Sequence, residues 1–267
     1  MALLREVLAH PVIDKRVIGG SLLPAALGIS SVSLLSEKNN ILSKCGGTLI
    51  SPRHVVTAGH CVVTAKGVIA QNNQVKVYYG NANLRKAKMV QSTKVTYHPQ
   101  YYTEKNGPNS DLDIAVIEFS EIILDEKTVD RAIIFDGILV PGQTGLIVGW
   151  GGAEDGANLD LLRGGFNVVG DPNICGLDDN NGPKICLPGN LVPGVSACGG
   201  DSGSAMFLND NGLLKIVGFN VIAVGGGQCG DKERKHLYIN THYYLDFIQQ
   251  ASGLPREYLV GKSNSMA

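Results

Sequence analysis

Among its 267 residues the chain has no uninterrupted apolar run of the roughly 18–20 residues that cross a bilayer as a helix; Ala132-Ile133-Ile134-Phe135 stops at Asp136. It has no charge imbalance either. With 23 basic and 24 acidic residues the formal charge is −1, which excludes a global attraction to nucleic acid or anionic lipid. No Cys-x-x-Cys spacing occurs, which argues against a zinc site, and no Asn-x-Ser/Thr triplet occurs, so N-glycosylation is not expected. What is present is glycine, 34 of them, as suits an all-β protein with many turns, together with six cysteines that can pair in fifteen ways.

The most informative segment is Cys198-Gly199-Gly200-Asp201-Ser202-Gly203-Ser204. A serine hydroxyl is a poor nucleophile unless a base takes its proton and donors stabilise the oxyanion that its attack creates. Glycines on either side allow a tight turn that exposes the hydroxyl and points backbone N–H groups outward. Alone, the run is an ordinary turn. Upstream, Thr57-Ala58-Gly59-His60-Cys61 offers a histidine among small residues, and Ser110-Asp111-Leu112-Asp113-Ile114-Ala115-Val116 offers an aspartate at the head of an apolar strand. Taken singly, His60 fits a core histidine, Asp113 a strand-edge acid and Ser202 a turn former. Together, in that order, they are the parts of a Ser-His-Asp triad.

These three segments resemble those of the trypsin-like (chymotrypsin-family) serine proteases, and the resemblance runs from about Arg16 to Ser252. Arg16-Val17-Ile18-Gly19-Gly20 resembles the family's activation site, Cys45-Gly46-Gly47-Thr48-Leu49-Ile50-Ser51 the strand before the histidine, and Tyr97-His98-Pro99-Gln100-Tyr101 the segment before the aspartate. Gly149-Trp150-Gly151 resembles the start of the second half. The resemblance implies an all-β fold of two six-stranded antiparallel barrels with a C-terminal helix. It also selects the pairing Cys45–Cys61, Cys175–Cys186 and Cys198–Cys229, and disulfides imply an oxidising compartment and secretion. The first ten residues make a poor signal peptide, because Arg5 and Glu6 interrupt the apolar stretch.

Residues 1–16 are expected to be a propeptide ending in Lys15-Arg16, followed by a protease domain over 17–252. Barrel one is expected over 17–130, barrel two over 131–240, a helix over 241–251 and a mobile tail over 253–267. Runs at 74–79, 114–119, 145–148 and 214–224 have the length and turn boundaries of strands. Tyr244, Leu245, Phe247 and Ile248 recur at helical spacing, with Thr241 as N-cap and Gly253 as a stop.

By resemblance His60, Asp113 and Ser202 are the catalytic residues, and the N–H groups of Gly200 and Ser202 form the oxyanion hole. Asp111 is the rival acid, two residues away and expected on the same strand face. Cleavage after Arg16 would free the Val17 amine to pair with Asp201 and switch the enzyme on. The specificity pocket would comprise Ser196, Ala197, Ala223 and His236. A neutral Ser196 at the floor disfavours a buried cation and favours a large apolar or aromatic residue before the cut. His236 stands where the family has a pocket-opening glycine, so a narrowed, small-apolar pocket stays open as the other reading. Where most members have a serine supporting the triad aspartate, this chain has Val221 or a neighbour.

Residues 67–90, where some members bind calcium, contain no Asp or Glu, so no calcium site is expected there; no other metal and no cofactor is expected. The expected partners are protein or peptide substrates, an activating protease and protein inhibitors, with no nucleic acid and no membrane, for a monomer. The alternative is a non-catalytic homologue that keeps the fold as a binding or regulatory module.

Overall fold

A computed structural model describes residues 17, 19–24, 27–152, 160–192 and 195–262. The expected propeptide 1–16 and the end of the tail, 263–267, lie outside the described residues. Sixteen strands follow in chain order: β1 Ser21–Leu22, β2 Ser31–Lys38, β3 Ile41–Ser51, β4 His54–Thr57, β5 Val75–Tyr79, β6 Lys88–Tyr97, β7 Tyr102–Thr103 and β8 Gly107–Pro108. Then come β9 Ala115–Phe119, β10 Ile133–Ile134, β11 Thr144–Gly149, β12 Arg163–Val168, β13 Lys184–Pro188, β14 Ala205–Asp210, β15 Leu213–Val224 and β16 Lys235–Asn240. The four runs singled out in the sequence coincide with β5, β9, β11 and β15, within a residue at each end.

Strands β2-β3-β4-β9-β6-β5 close into the expected first barrel. Its inward face is set by period-2 alternation: Val32, Leu34, Ser36 and Lys38 of β2 are all buried. Strand β9 is apolar at every position but one, Glu118, and its Ala115, Val116, Ile117 and Phe119 are buried. The second half differs from a fully laddered six-stranded barrel. Its sheet runs β1-β12-β11-β14-β15-β16-β13, with β10 added parallel to β15. The wall's ends meet where Gly170 N–H, just past β12, donates to Cys186 O of β13 at 2.9 Å. Among the described residues this single backbone hydrogen bond, not a ladder, joins β12's end to β13.

The halves are stitched together by backbone. Asn83 and Leu161 form an isolated bridge, Leu84 N–H donates to Asp160 O and Leu162 N–H to Ala82 O, both at 2.7 Å. Trp150 Nε1 donates to Ala82 O at 3.0 Å. Leu146, Val148, Trp150 and Phe219 of the second half share one apolar core with the first.

The C-terminal helix begins later than expected. Helix α1 spans Leu245–Ser252; Thr241 is not its cap, because its hydroxyl donates instead to Ile216 O at 3.3 Å. Gly253 ends the helix in the left-handed conformation, φ 71°, as its lack of a Cβ allows. The tail is also corrected, because it does not run free after Gly253. Arg256–Val260 forms a short helix, α2, with Leu259 and Val260 buried against β10. The Arg131 guanidinium lies 4.0 Å over the Tyr258 ring and donates to Tyr258 O. A five-residue helix is not stable alone, so packing, not propensity, orders it. Leu259→Ala should therefore lower unfolding free energy by about 2–4 kcal/mol, read from the denaturant midpoint; an unchanged midpoint would mean the segment is not part of the cooperative fold.

Candidate active site

Strands β4 and β9 pair antiparallel, with Thr57 opposite Ala115. The chain leaving β4 and the chain entering β9 thus emerge at one edge, which brings His60 to Asp113. His60 sits in a 3-10 turn, Gly59–Cys61, tied down by the Cys45–Cys61 disulfide. Both oxygens of Asp113 are used on this one residue: Oδ1 accepts from the His60 backbone N–H and Oδ2 from Nδ1, each at 2.7 Å. A carboxylate only accepts, so Nδ1 carries a proton, and in the neutral ring the lone pair is on Nε2. The acid is buried, its side chain 7% exposed, whereas the imidazole is 32% exposed. The ring can act as a base toward the cleft while its partner stays dry.

Asp111 is not interchangeable with Asp113. Residues Ser110–Leu112 form a 3-10 turn, so strand alternation does not operate there and the two side chains diverge. The Asp111 carboxylate is exposed and pairs with Lys184 of β13 at 2.6 Å, while its carbonyl accepts from the Tyr244 hydroxyl. Lys184 also reaches Ser110 Oγ at 2.9 Å. The turn presenting Asp113 is therefore held by the second half of the chain.

Sequence reasoning missed two residues here. Lys38 is 3% exposed, and its ammonium donates to the carbonyls of His60 at 2.9 Å and Cys61 at 3.0 Å. Burial lowers its pKa and the charge of Asp113 opposes that shift. Tyr101, also buried, has its phenol pushed well up by burial and by Asp113. The signal for Lys38 was present, since it follows Val32, Leu34 and Ser36 on the inward parity of β2.

The Ser202 segment seats on this edge. Gly46 N–H donates to Ser202 O at 2.7 Å, and Cys61 Sγ lies 3.7 Å from the same oxygen. Gly203 has φ +77°, and a Cβ there would fall 2.4 Å from Gly46 O, so only glycine fits. Gly200 has φ +91°, which turns the chain just before the serine. Among the described residues the N–H groups of Gly200 and Ser202 donate to nothing. Asp201 is buried; Oδ1 accepts from Gly151 N–H at 2.7 Å and Oδ2 from Cys198 N–H at 2.9 Å. Burial raises it from 3.8 to about 6, against those two bonds and the Lys44 charge. Arg16 lies outside the described residues; Val17 is buried among Leu139, Ile147 and Tyr238.

The three disulfides are those the resemblance implied, with no free cysteine. Cys45, His60 and Cys61 approach one another closely, but both sulfurs are spent in a disulfide and cannot hold a metal. At the expected pocket, Ser196 Oγ accepts from Gly230 N–H and donates to Ala197 O, both 3.0 Å. Ala197 is buried and Ala223 half-buried. His236 is 2% exposed, neither ring nitrogen has a partner among the described residues, and burial holds it down at about 4. Val221 packs in the apolar core. No serine hydroxyl stands at that position to support the acid.

A family model described as Trypsin matches residues 18–248. A trypsin of Simulium vittatum is 30% identical over 78% of this chain and 84% of its own length. Chymotrypsin-C of Bos taurus is 30% identical over 90% of each. Transmembrane protease serine 11C of Mus musculus is also 30% identical, over 82% of this chain, which spans only half of that protein. A solved structure described as HL collagenase superposes with a TM-score of 0.73 over 89% of this chain and 99% of the other, at 23% identity, a likeness of fold.

The geometry separates the two acids by their contacts, Asp113 with His60 and Asp111 with Lys184. Asp113→Asn should cut turnover about 10⁴-fold, by fixing the wrong imidazole tautomer. Asp111→Asn should keep most of it. Equal losses in a kcat comparison would reject the assignment.

Proposed function

The chain belongs to the trypsin family of serine proteases, and we propose that it is a secreted endopeptidase, made as a zymogen, with Ser202 as its nucleophile. The observation that carries the reading is the His60–Asp113 pair at 2.7 Å beside a serine segment docked on Gly46, next to the cysteine that ties down the histidine's turn. In this reading His60 Nε2 takes the Ser202 proton as the oxygen attacks the scissile carbonyl, then returns it to the leaving amine. Asp113 stabilises the imidazolium. The N–H groups of Gly200 and Ser202 receive the oxyanion, each worth roughly 3–4 kcal/mol in the transition state. The pocket takes an uncharged side chain before the cut, because Ser196 brings no countercharge for lysine or arginine. Three disulfides support an oxidising destination. Among the described residues no helix is long and apolar enough to cross a membrane.

Reaction with a fluorophosphonate probe tests the assembled triad. The chain cleaved after Arg16 should label at Ser202, whereas the uncleaved chain and Ser202→Ala should not. A cleaved chain that stays unlabelled would mark a non-catalytic homologue.

Asp201 supplies the switch. In the uncleaved chain its pKa is raised, so the folded state holds the proton more tightly than the unfolded state. That contribution is complete below about pH 4 and is lost as the pH rises through about 6. The Ser202→Ala chain, left uncleaved, should lose up to about 3 kcal/mol of stability between those values. Cleavage delivers the Val17 ammonium to the carboxylate, so the loss should shrink in the cleaved chain. The amine's own pKa is raised by the pair, and activity should fall at alkaline pH as it deprotonates. A pH-stability curve unchanged by cleavage would remove the ion pair.

A further inference from the structure

The serine segment and the β15–β16 hairpin are clasped together at two points. At one end Gly203 N–H donates to Asn220 O at 2.7 Å and Asn220 N–H to Ser204 O at 2.9 Å. At the other end the Cys198–Cys229 disulfide and the Ser196–Gly230 hydrogen bond join the same two stretches. On β15, Ala223 lies between these clasps, and its partner across the ladder is His236. His236, Tyr238 and Asn220 share one sheet face, since Asn220 pairs with Tyr238 and His236 is two residues away. That face is turned to the serine segment. Tyr238 feels the Asp201 charge, and Val195 packs against its cluster.

Three polar atoms on this face are buried with no partner among the described residues: His236 Nδ1, His236 Nε2 and Asn220 Oδ1. Buried polar atoms are nearly always paired, and their desolvation is a lasting cost unless something arrives to bond them. We propose that the pocket beside Ser202 is a hydrogen-bonding pocket that selects a carboxamide side chain, glutamine or asparagine, before the scissile bond, with His236 and Asn220 as the residues that recognise it. This rests on the endopeptidase reading and narrows it.

The match is one of donors and acceptors. His236 is held neutral near pH 7 by burial and by the Arg234 charge, so its ring presents one N–H and one lone pair. With Asn220 Oδ1, the site presents one donor and two acceptors. A carboxamide presents the complement, one C=O and two N–H groups. A carboxylate offers acceptors only and would face two lone pairs. An aromatic or aliphatic side chain fills space and leaves all three atoms unpaired. Lysine or arginine finds no countercharge at Ser196, whose hydroxyl is already committed. A site built to hydrogen-bond its substrate rejects analogues that cannot, by far more than an apolar pocket distinguishes sizes.

The experiment is a peptide series cut by the cleaved enzyme, varied only before the scissile bond, with kcat/KM expressed per fluorophosphonate-labelled site. Glutamine should exceed methionine and glutamate, and asparagine should exceed leucine and aspartate, each at least tenfold. In His236→Phe, which keeps bulk and loses both nitrogens, the order should reverse toward methionine and leucine; Asn220→Leu should narrow the gap. An enzyme that labels yet prefers methionine, phenylalanine or leucine overturns the pocket and leaves the protease standing. One that labels and cuts none of the series also overturns it. Failure to label overturns both readings.

Discussion

A single buried carboxylate constrains the rest of the molecule. Asp113 spends both oxygens on one residue, accepting the backbone and ring hydrogens of His60. This fixes where the turn carrying His60 lies and which nitrogen is free. Such a carboxylate is costly to bury unless its bonds are satisfied. Much of the neighbourhood serves that requirement. Lys38 brings an ammonium beneath the His60 turn, and Tyr101 closes over the acid. Lys184 and Tyr244 grip the preceding turn from the other half of the chain.

The second constraint is that two halves must dock in one register. Neither half contains a complete site. In the proposed mechanism the first contributes His60 and Asp113, and the second Ser202, the N–H groups of Gly200 and Ser202, and the pocket. Docking runs through backbone bonds, Gly46 to Ser202 and the Ala82–Leu84 edge to residues 160–162, which tolerate little displacement. Glycine at 203 is the steric condition for that approach. A second carboxylate, Asp201, lies next to Ser202 in an environment that resists its charge. Strain of that kind suits a switch, because a cation delivered there relieves it.

Much of this was legible in the chain. The segments around His60, Asp113 and Ser202 are short, local and chemically specific, and the strands β5, β9, β11 and β15 announced themselves by apolar runs between turn residues. The failures share a cause. Alternation placed Asp111 beside Asp113, but a 3-10 turn intervenes. Thr241 looked like a cap, but a backbone carbonyl across the sheet takes its hydroxyl. The tail looked free because a five-residue segment has no strong periodicity, and its order comes from Leu259, Val260 and Tyr258 meeting a surface distant in sequence.

The sequence by itself determined the chemistry available: a hydroxyl, an imidazole, carboxylates, six thiols, and the strand and turn propensities around them. Local order of that kind follows from neighbours along the chain. Only the tertiary structure decided which acid meets the histidine, where the ammonium of Lys38 points, and which buried nitrogens of His236 go without partners. Those depend on contacts between residues tens of positions apart, and on the exclusion of water from the space between them. A linear reading carries neither.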